Sequence, residues 1–185
     1  EAGEAEDVPV EAMIEREPIT VICSKMGWIR AMKGHVDLAV EQKFKDGDGP
    51  RFAFHAETTD KILIVAENGR FFTLLGANLP GGRGMGEPVR LMVDLPNDTG
   101  ITDMILFRAG EKYLVASTAG DGFVVSAEEL VAQTRAGKQV LAVKDGVRAA
   151  VCHRIAGDAV AVVGDNRKLL VFPLAELPEM ARGKG

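Results

Sequence analysis

Few residues in this sequence offer covalent or metal chemistry. The 185 residues include three His, two Cys, one Trp and one Tyr. Cys23 and Cys152 each sit inside an apolar run, and with His35, His55 and His153 scattered, no metal-ligand spacing arises. The two thiols read as buried and reduced, and the three histidines as structural or surface residues. No phosphate-binding loop with its lysine and no Gly-x-Ser-x-Gly elbow occurs. No apolar run reaches 18 residues, which excludes a membrane-spanning helix, and the N-terminus lacks the basic-then-apolar order of a secretory signal. Because the first residue is Glu, the chain reads as an excised or processed piece.

What is present is apolar, Gly-rich and patterned. Hydrophobic residues make up 46% of the chain, in short runs of Val, Ile, Leu and Phe, and there are 21 Gly. That mixture suits many short strands joined by tight turns, an all-β class. The net charge is −5, but it is unevenly spread. Residues 1–17 hold seven acids and one base, leaving 20 acids and 21 bases for the rest. Residues 1–14 therefore read as an acidic linker or tail, and the remainder as a near-neutral domain that can still bind a polyanion if its bases gather on one face.

A hairpin-bearing unit recurs four times. Each unit has an apolar strand, a tight polar turn and a second apolar strand. They run Thr20–Cys23 to Trp28–Met32, Ile62–Ala66 to Phe71–Leu75, Tyr113–Ala116 to Phe123–Val125, and Ala159–Val163 to Leu169–Phe172. The turn residues Gly27, Gly69 and Gly120 are 42 and 51 residues apart, and Arg167 takes the equivalent place 47 residues later. Asn68-Gly69 carries the strongest turn signal, since its hairpin type needs positive φ at both central residues. A period of about 40–50 residues with several strands per unit marks propeller-like arrays.

Basic Gly-containing loops follow the hairpins: Leu79–Gly86, Thr134–Lys138 and Ala181–Gly185. Further strands are expected near Phe52–His55, Val89–Val93, Met104–Phe107, Gln139–Val143 and Val147–His153. Ser126-Ala127-Glu128-Glu129 fits a capping box that opens a short helix through about Gln133.

These residues resemble the C-terminal domain of the A subunit of bacterial topoisomerase IV. Glu15–Thr20, Met26–Arg30 and Lys33-Gly34-His35 are similar to that family's first blade. Gly82–Pro88 resembles its second-blade loop. Asp121-Gly122-Phe123 with Leu130-Val131-Ala132 and Arg135–Lys138 resembles the third blade, and Phe172-Pro173-Leu174 with Glu176-Leu177-Pro178 and Arg182–Gly185 the fourth. The resemblance covers residue 15 to the end. It implies a β-pinwheel, a propeller-like arrangement of blades that exchange strands, with about four blades visible over residues 15–185 and truncation after the last basic loop. It also implies DNA binding on the outer rim. The Gln-Arg-Arg-Gly-Gly-Lys-Gly box of the related gyrase A domain is absent, with Arg182-Gly183-Lys184-Gly185 a partial echo. A gyrase-type DNA-wrapping domain is thus the alternative within this class.

The resemblance implies three partners: duplex DNA, the catalytic core of the same polypeptide, and the B subunit of topoisomerase IV. It implies a cytoplasmic, nucleoid-associated protein and no membrane partner. No cofactor is expected in this domain, Mg and ATP belonging to the parent enzyme. Type IIA topoisomerases cleave with a Tyr; the single Tyr113 lies in an apolar strand and reads as packing, so no catalytic residue is assigned. Duplex DNA carries about one charge per 1.7 Å of axis, so a binder needs several bases along a track. Arg83, Arg135, Lys138, Arg182 and Lys184 recur in the Gly loops, where close backbone approach to phosphate is possible. Lys25, Arg30, Lys33, Arg70, Arg167 and Lys168 lie on or beside the hairpins and extend the set. Trp28 reads as a core anchor. Two rivals remain: a propeller-like protein-interaction module, which needs no basic rim, and a propeller enzyme, for which no repeated His, Asp or Glu set is present.

Overall fold

A computed structural model describes residues 13–185, so most of the expected acidic tail lies outside the described residues. The described chain is all-β apart from one four-residue helix and short 3-10 turns. The strands are β1 (Pro18–Ser24), β2 (Trp28–Lys33), β3 (Pro50–Glu57), β4 (Lys61–Ala66), β5 (Arg70–Leu75), β6 (Glu87–Pro88), β7 (Ile101–Leu106), β8 (Lys112–Ser117), β9 (Gly122–Ser126), β10 (Lys138–Gln139), β11 (Ala149–Arg154), β12 (Ala159–Val163) and β13 (Leu169–Pro173), with helix α1 at Ala127–Leu130. They form four sheets in the orders β3-β1-β2-β6, β10-β5-β4-β7, β11-β8-β9 and β12-β13. Each sheet is built on one of the four hairpins that the repeat predicts. The turn positions agree with that register: φ is 80° at Gly27, 80° at Gly69 and 86° at Gly120, and the fourth turn places Arg167 at 61°; Asn68, however, does not take the positive φ expected of it, so only the second residue of that turn is left-handed.

The sheet orders show strand exchange. β6 follows the second hairpin in sequence yet pairs with β2 of the first, Trp28 opposite Pro88 and Ile29 opposite Glu87. β10 follows the third hairpin and pairs with β5 of the second, Lys138 opposite Phe71. After the fourth hairpin, Val124 of β9 donates to Pro178 O and accepts from Met180 N–H, both within 2.9 Å. Each returning segment so satisfies the outer backbone groups of the preceding hairpin. This is the β-pinwheel arrangement.

The described chain packs as two compact units, one of residues 13–62 and 74–92 and the other of residues 63–73 and 93–185. In the first, Val21, Cys23 and Ile29 are wholly buried. In the second, Leu63, Val65, Phe71, Phe123, Val125, Leu130, Val140 and Leu141 form one apolar cluster. Burial of each Phe there is worth about 1.5–3 kcal/mol. Residues ahead of β1 are tied to the first sheet: Thr58 Oγ donates to Glu15 O at 2.6 Å, and Arg16 pairs with Glu57.

Three local expectations differ. Val89–Val93 is not a strand: after the two-residue β6, Val89–Leu91 forms a 3-10 turn. The Gln139–Val143 strand reduces to Lys138–Gln139, because Val140 and Leu141 N–H both turn to the carbonyl of Gly69. The helix at Ala127 stops at Leu130, and Ser126 makes no capping hydrogen bond. Glu128 instead accepts the Gly110 N–H at 2.7 Å, and Ala132 N–H leaves the helix for Thr73 Oγ at 2.8 Å. The hydrogen bond from Gly110 holds the Glu128 carboxyl below its usual range.

Candidate nucleic-acid interface

The basic Gly loops are held by the strand exchange just described. In the first unit the chain at 79–88 lies along β2, with Ala31 N–H donating to Pro80 O and Val89 N–H to Gly27 O. Arg83, at the free part of that loop, is exposed and makes no hydrogen bond or ion pair among the described residues. Lys25, in the first hairpin's turn, and Lys33, at the end of its second strand, are also exposed. Lys25 lies near Asp48, whose carboxyl burial would raise. Hydrogen bonds from Ser24, Gly49 and Met26, with the Lys25 charge, outweigh that and hold it low.

Arg30 differs from the expected exposed base. It is 5% exposed. Its guanidinium donates to Gly84 O at 3.0 Å and to Lys43 O at 2.9 Å, beside the Phe44 ring at 5.6 Å. Trp28, expected in the core, is half-buried instead, with Lys45 Nζ 3.3 Å from its ring centroid. Lys43 and Lys45, both exposed, lie in the connection 34–49 and were missed in the sequence, although Lys43-Phe44-Lys45 sets one base on each side of an aromatic. The same connection is pinned to β3 by a stacked pair. The His35 and His55 rings are 4.6 Å apart and 14° from parallel. His35 Nε2 meets Ala56 O at 2.9 Å and His55 Nε2 meets Val36 O at 2.6 Å, which makes both structural.

In the second unit, Arg70 is half-buried and bridges to the returning loop, donating to Ala136 O at 3.0 Å and to Gly137 O at 3.3 Å. Arg135 is exposed 3.6 Å from Asp94. Lys138 sits 3.0 Å from Glu129, and Lys184 3.2 Å from Asp121. Arg182, Arg167 and Lys168 are exposed. The sequence-derived bases thus fall into three groups. Arg83, Lys25, Lys33, Arg182, Arg167 and Lys168 offer exposed cations without an ion pair among the described residues. Arg135, Lys138 and Lys184 carry surface ion pairs, each worth little against a polyanion. Arg30 and Arg70 hold loop carbonyls.

Tyr113 is 4% exposed, its hydroxyl 3.1 Å from Glu111, and burial pushes it up to about 12. Burial likewise pushes Cys23 up to about 12 and raises Cys152. Among the described residues no cluster of three or more His, Cys, Asp or Glu is placed to hold a metal, and no helix is long and apolar enough to cross a membrane.

No protein-family model matches the chain. Curated relatives do. The DNA topoisomerase 4 A subunit of Caulobacter vibrioides is 54% identical over 97% of this chain, that of Rickettsia bellii 48% over 96%, and that of Escherichia coli 33% over the whole chain. The chain spans 24% of the length of the first two and 25% of the third. The solved E. coli ParC C-terminal domain is 32% identical with a TM-score of 0.83, covering 91% of this chain and 70% of that one. A gyrase A C-terminal domain, 14% identical with a TM-score of 0.60 over 90% of this chain and 58% of that one, shares the fold. With strand exchange, repeat register and these identities in agreement, the chain belongs to the family of C-terminal domains of the topoisomerase IV A subunit (ParC).

Proposed function

We propose that this chain is a non-catalytic DNA-binding domain of the topoisomerase IV A subunit. It captures and orients duplex DNA on its exposed bases for the strand passage carried out by the whole enzyme. The observation that carries this reading is the recurrence of a basic Gly loop, returned by strand exchange onto the preceding hairpin, three times along the chain. Exposed Arg83, Arg182, Lys25, Lys33, Arg167 and Lys168 are the leading phosphate contacts. Arg135, Lys138 and Lys184 join them when phosphate displaces their carboxylate partners. Its protein partners are the catalytic core of the same polypeptide and the topoisomerase IV B subunit, while Mg and ATP serve the parent enzyme elsewhere. Such a protein works at the nucleoid in the bacterial cytoplasm. The missing Gln-Arg-Arg-Gly-Gly-Lys-Gly box favours capture over the strong wrapping of a gyrase-type domain.

The attraction is electrostatic and independent of base sequence, so affinity falls with salt, by a slope of about −0.9 per phosphate contact. Fluorescence anisotropy with a short labelled duplex, titrated across salt, measures it. Arg83→Glu and Arg135→Glu are expected to weaken binding and flatten the slope without changing thermal unfolding. Wild-type affinity in both variants overturns the assignment of these loops; no binding by the parent chain at low salt favours the protein-interaction alternative.

A further inference from the structure

We propose that Arg30 is a positioning residue for the DNA-binding surface: a buried cation that sets the spacing of two base-carrying segments, the connection 34–49 and the loop 81–86. This rests on the DNA-binding reading above.

A buried guanidinium is costly unless its donors are satisfied. No carboxylate pairs with Arg30 among the described residues, and its Nε is buried without a partner. An apolar side chain of similar length would fill the same place on β2 without leaving a donor unmet. What Arg30 does instead is reach two backbone carbonyls far apart in sequence, Lys43 O at 2.9 Å and Gly84 O at 3.0 Å. Met85 Sδ lies 3.8 Å from the same nitrogen that serves Gly84. The guanidinium is a rigid planar fork, so two acceptors on one head are held at a fixed separation.

The segments so fixed carry exposed bases. Lys43 itself supplies one carbonyl, Lys45 follows two residues on over the Trp28 ring, and Arg83 precedes Gly84. The ends of the loop 81–86 are seated on β2, Gly81 bridged to Ala31 and Gly86 closed against Ile29, while nothing lies within 4 Å of where a side chain on Gly84 would begin. With no counter-charge beside it, Arg30 also leaves its own positive charge available to the field at that surface.

The test uses Arg30→Met and Arg30→Lys in the 185-residue chain, with anisotropy across salt on a labelled duplex and hydrogen exchange of the loop amides. Arg30→Met is expected to keep a cooperative melt, speed exchange at residues 83–86, and lower the salt slope by more than the ~0.9 that one lost contact removes. Arg30→Lys keeps the charge but has a single head that cannot fork, so it recovers less than half of the lost slope. If Arg30→Lys restores wild-type slope, or if Arg30→Met leaves slope and exchange unchanged, the proposal fails. Should Arg30→Met not fold, Arg30→Lys carries the test alone, and wild-type slope with wild-type exchange overturns the proposal. If the parent chain does not bind duplex DNA, it is the DNA-binding reading that falls, and this inference with it.

Discussion

Lys184 Nζ stands 3.2 Å from Asp121 Oδ2, so the last basic loop returns onto the turn of the third hairpin through an ion pair. Arg135 meets Asp94 at 3.6 Å in the same way. Both pairs lie at the surface, with Asp121 partly buried, where such contacts contribute at most about 1 kcal/mol and where phosphate competes for the cation. Removing Asp121 opens Lys184 to phosphate, and removing Asp94 takes one partner from Arg135. Asp121→Asn and Asp94→Asn are therefore expected to tighten duplex binding, each by up to about fivefold, an energy of ~1 kcal/mol. The gain is read by anisotropy at low salt and shrinks as salt rises. Unchanged or weaker binding in both variants removes Lys184 and Arg135 from the interface.

The four hairpins were legible because each needs only local information: an apolar run, a turn residue that accepts positive φ, and a second run. The returning segments were harder. Residues 89–93 have the composition of a strand, but Val89 N–H is already taken by Gly27 O, and a 3-10 turn follows. Ser126 and Glu129 have the spacing of a capping box, yet the neighbouring Glu128 is taken by Gly110 and the helix ends after one turn. Arg30 looked like any hairpin base, since its burial depends on Gly84, 54 residues away. The surface bases Arg83 and Arg182 were found by recurrence, whereas Lys43 and Lys45 belong to a connection that the other units do not repeat.

Gly69 separates two kinds of glycine. Its φ is +80°, and a side chain there would overlap the carbonyl oxygen of Leu141, a backbone atom that cannot move aside cheaply. That same Leu141 is part of the apolar cluster. Gly110 has the same φ of +80° with nothing within 4 Å. Gly110→Ala is expected to cost about 1–2 kcal/mol, the left-handed penalty alone. Gly69→Ala carries that cost and the displacement of the 137–141 return, so its urea midpoint falls well below that of Gly110→Ala. Equal midpoints would show that the return yields easily.

Asp48 gives a pH dependence with a definite sign. Its carboxylate accepts N–H groups from Met26 at 3.0 Å and Gly49 at 2.8 Å, and its folded pKa lies below the usual value. A depressed acid contributes stability above its unfolded pKa and loses that contribution as pH falls through the folded one. Asp48→Asn is thus expected to be less stable than wild type at pH 7, with the two melting temperatures converging below about pH 4, near the unfolded carboxyl value. A gap that persists at low pH would mean that packing, not charge, holds the first hairpin's turn.

The fourth hairpin makes a prediction about self-association. Among the described residues β12 and β13 pair only with each other, with Val163 opposite Leu169 and Val162 opposite Leu170. Val163 is 70% exposed and Leu169 65%, and Leu170 and Val171 are exposed beside them. The other three sheets cover their hairpin edges with a further strand; this one presents unpaired backbone groups next to apolar side chains, a template for another chain. Sedimentation velocity of the 185-residue chain is expected to show mass rising with concentration. Val163→Lys combined with Leu169→Glu sets opposite charges at directly facing positions, which preserves the hairpin while removing the apolar patch. That double variant is expected to remain monomeric with its melt unchanged. A parent chain that stays monomeric at high micromolar concentration would show that the exposed edge is protected by its own twist, and that Val163 and Leu169 are tolerated in water as they stand.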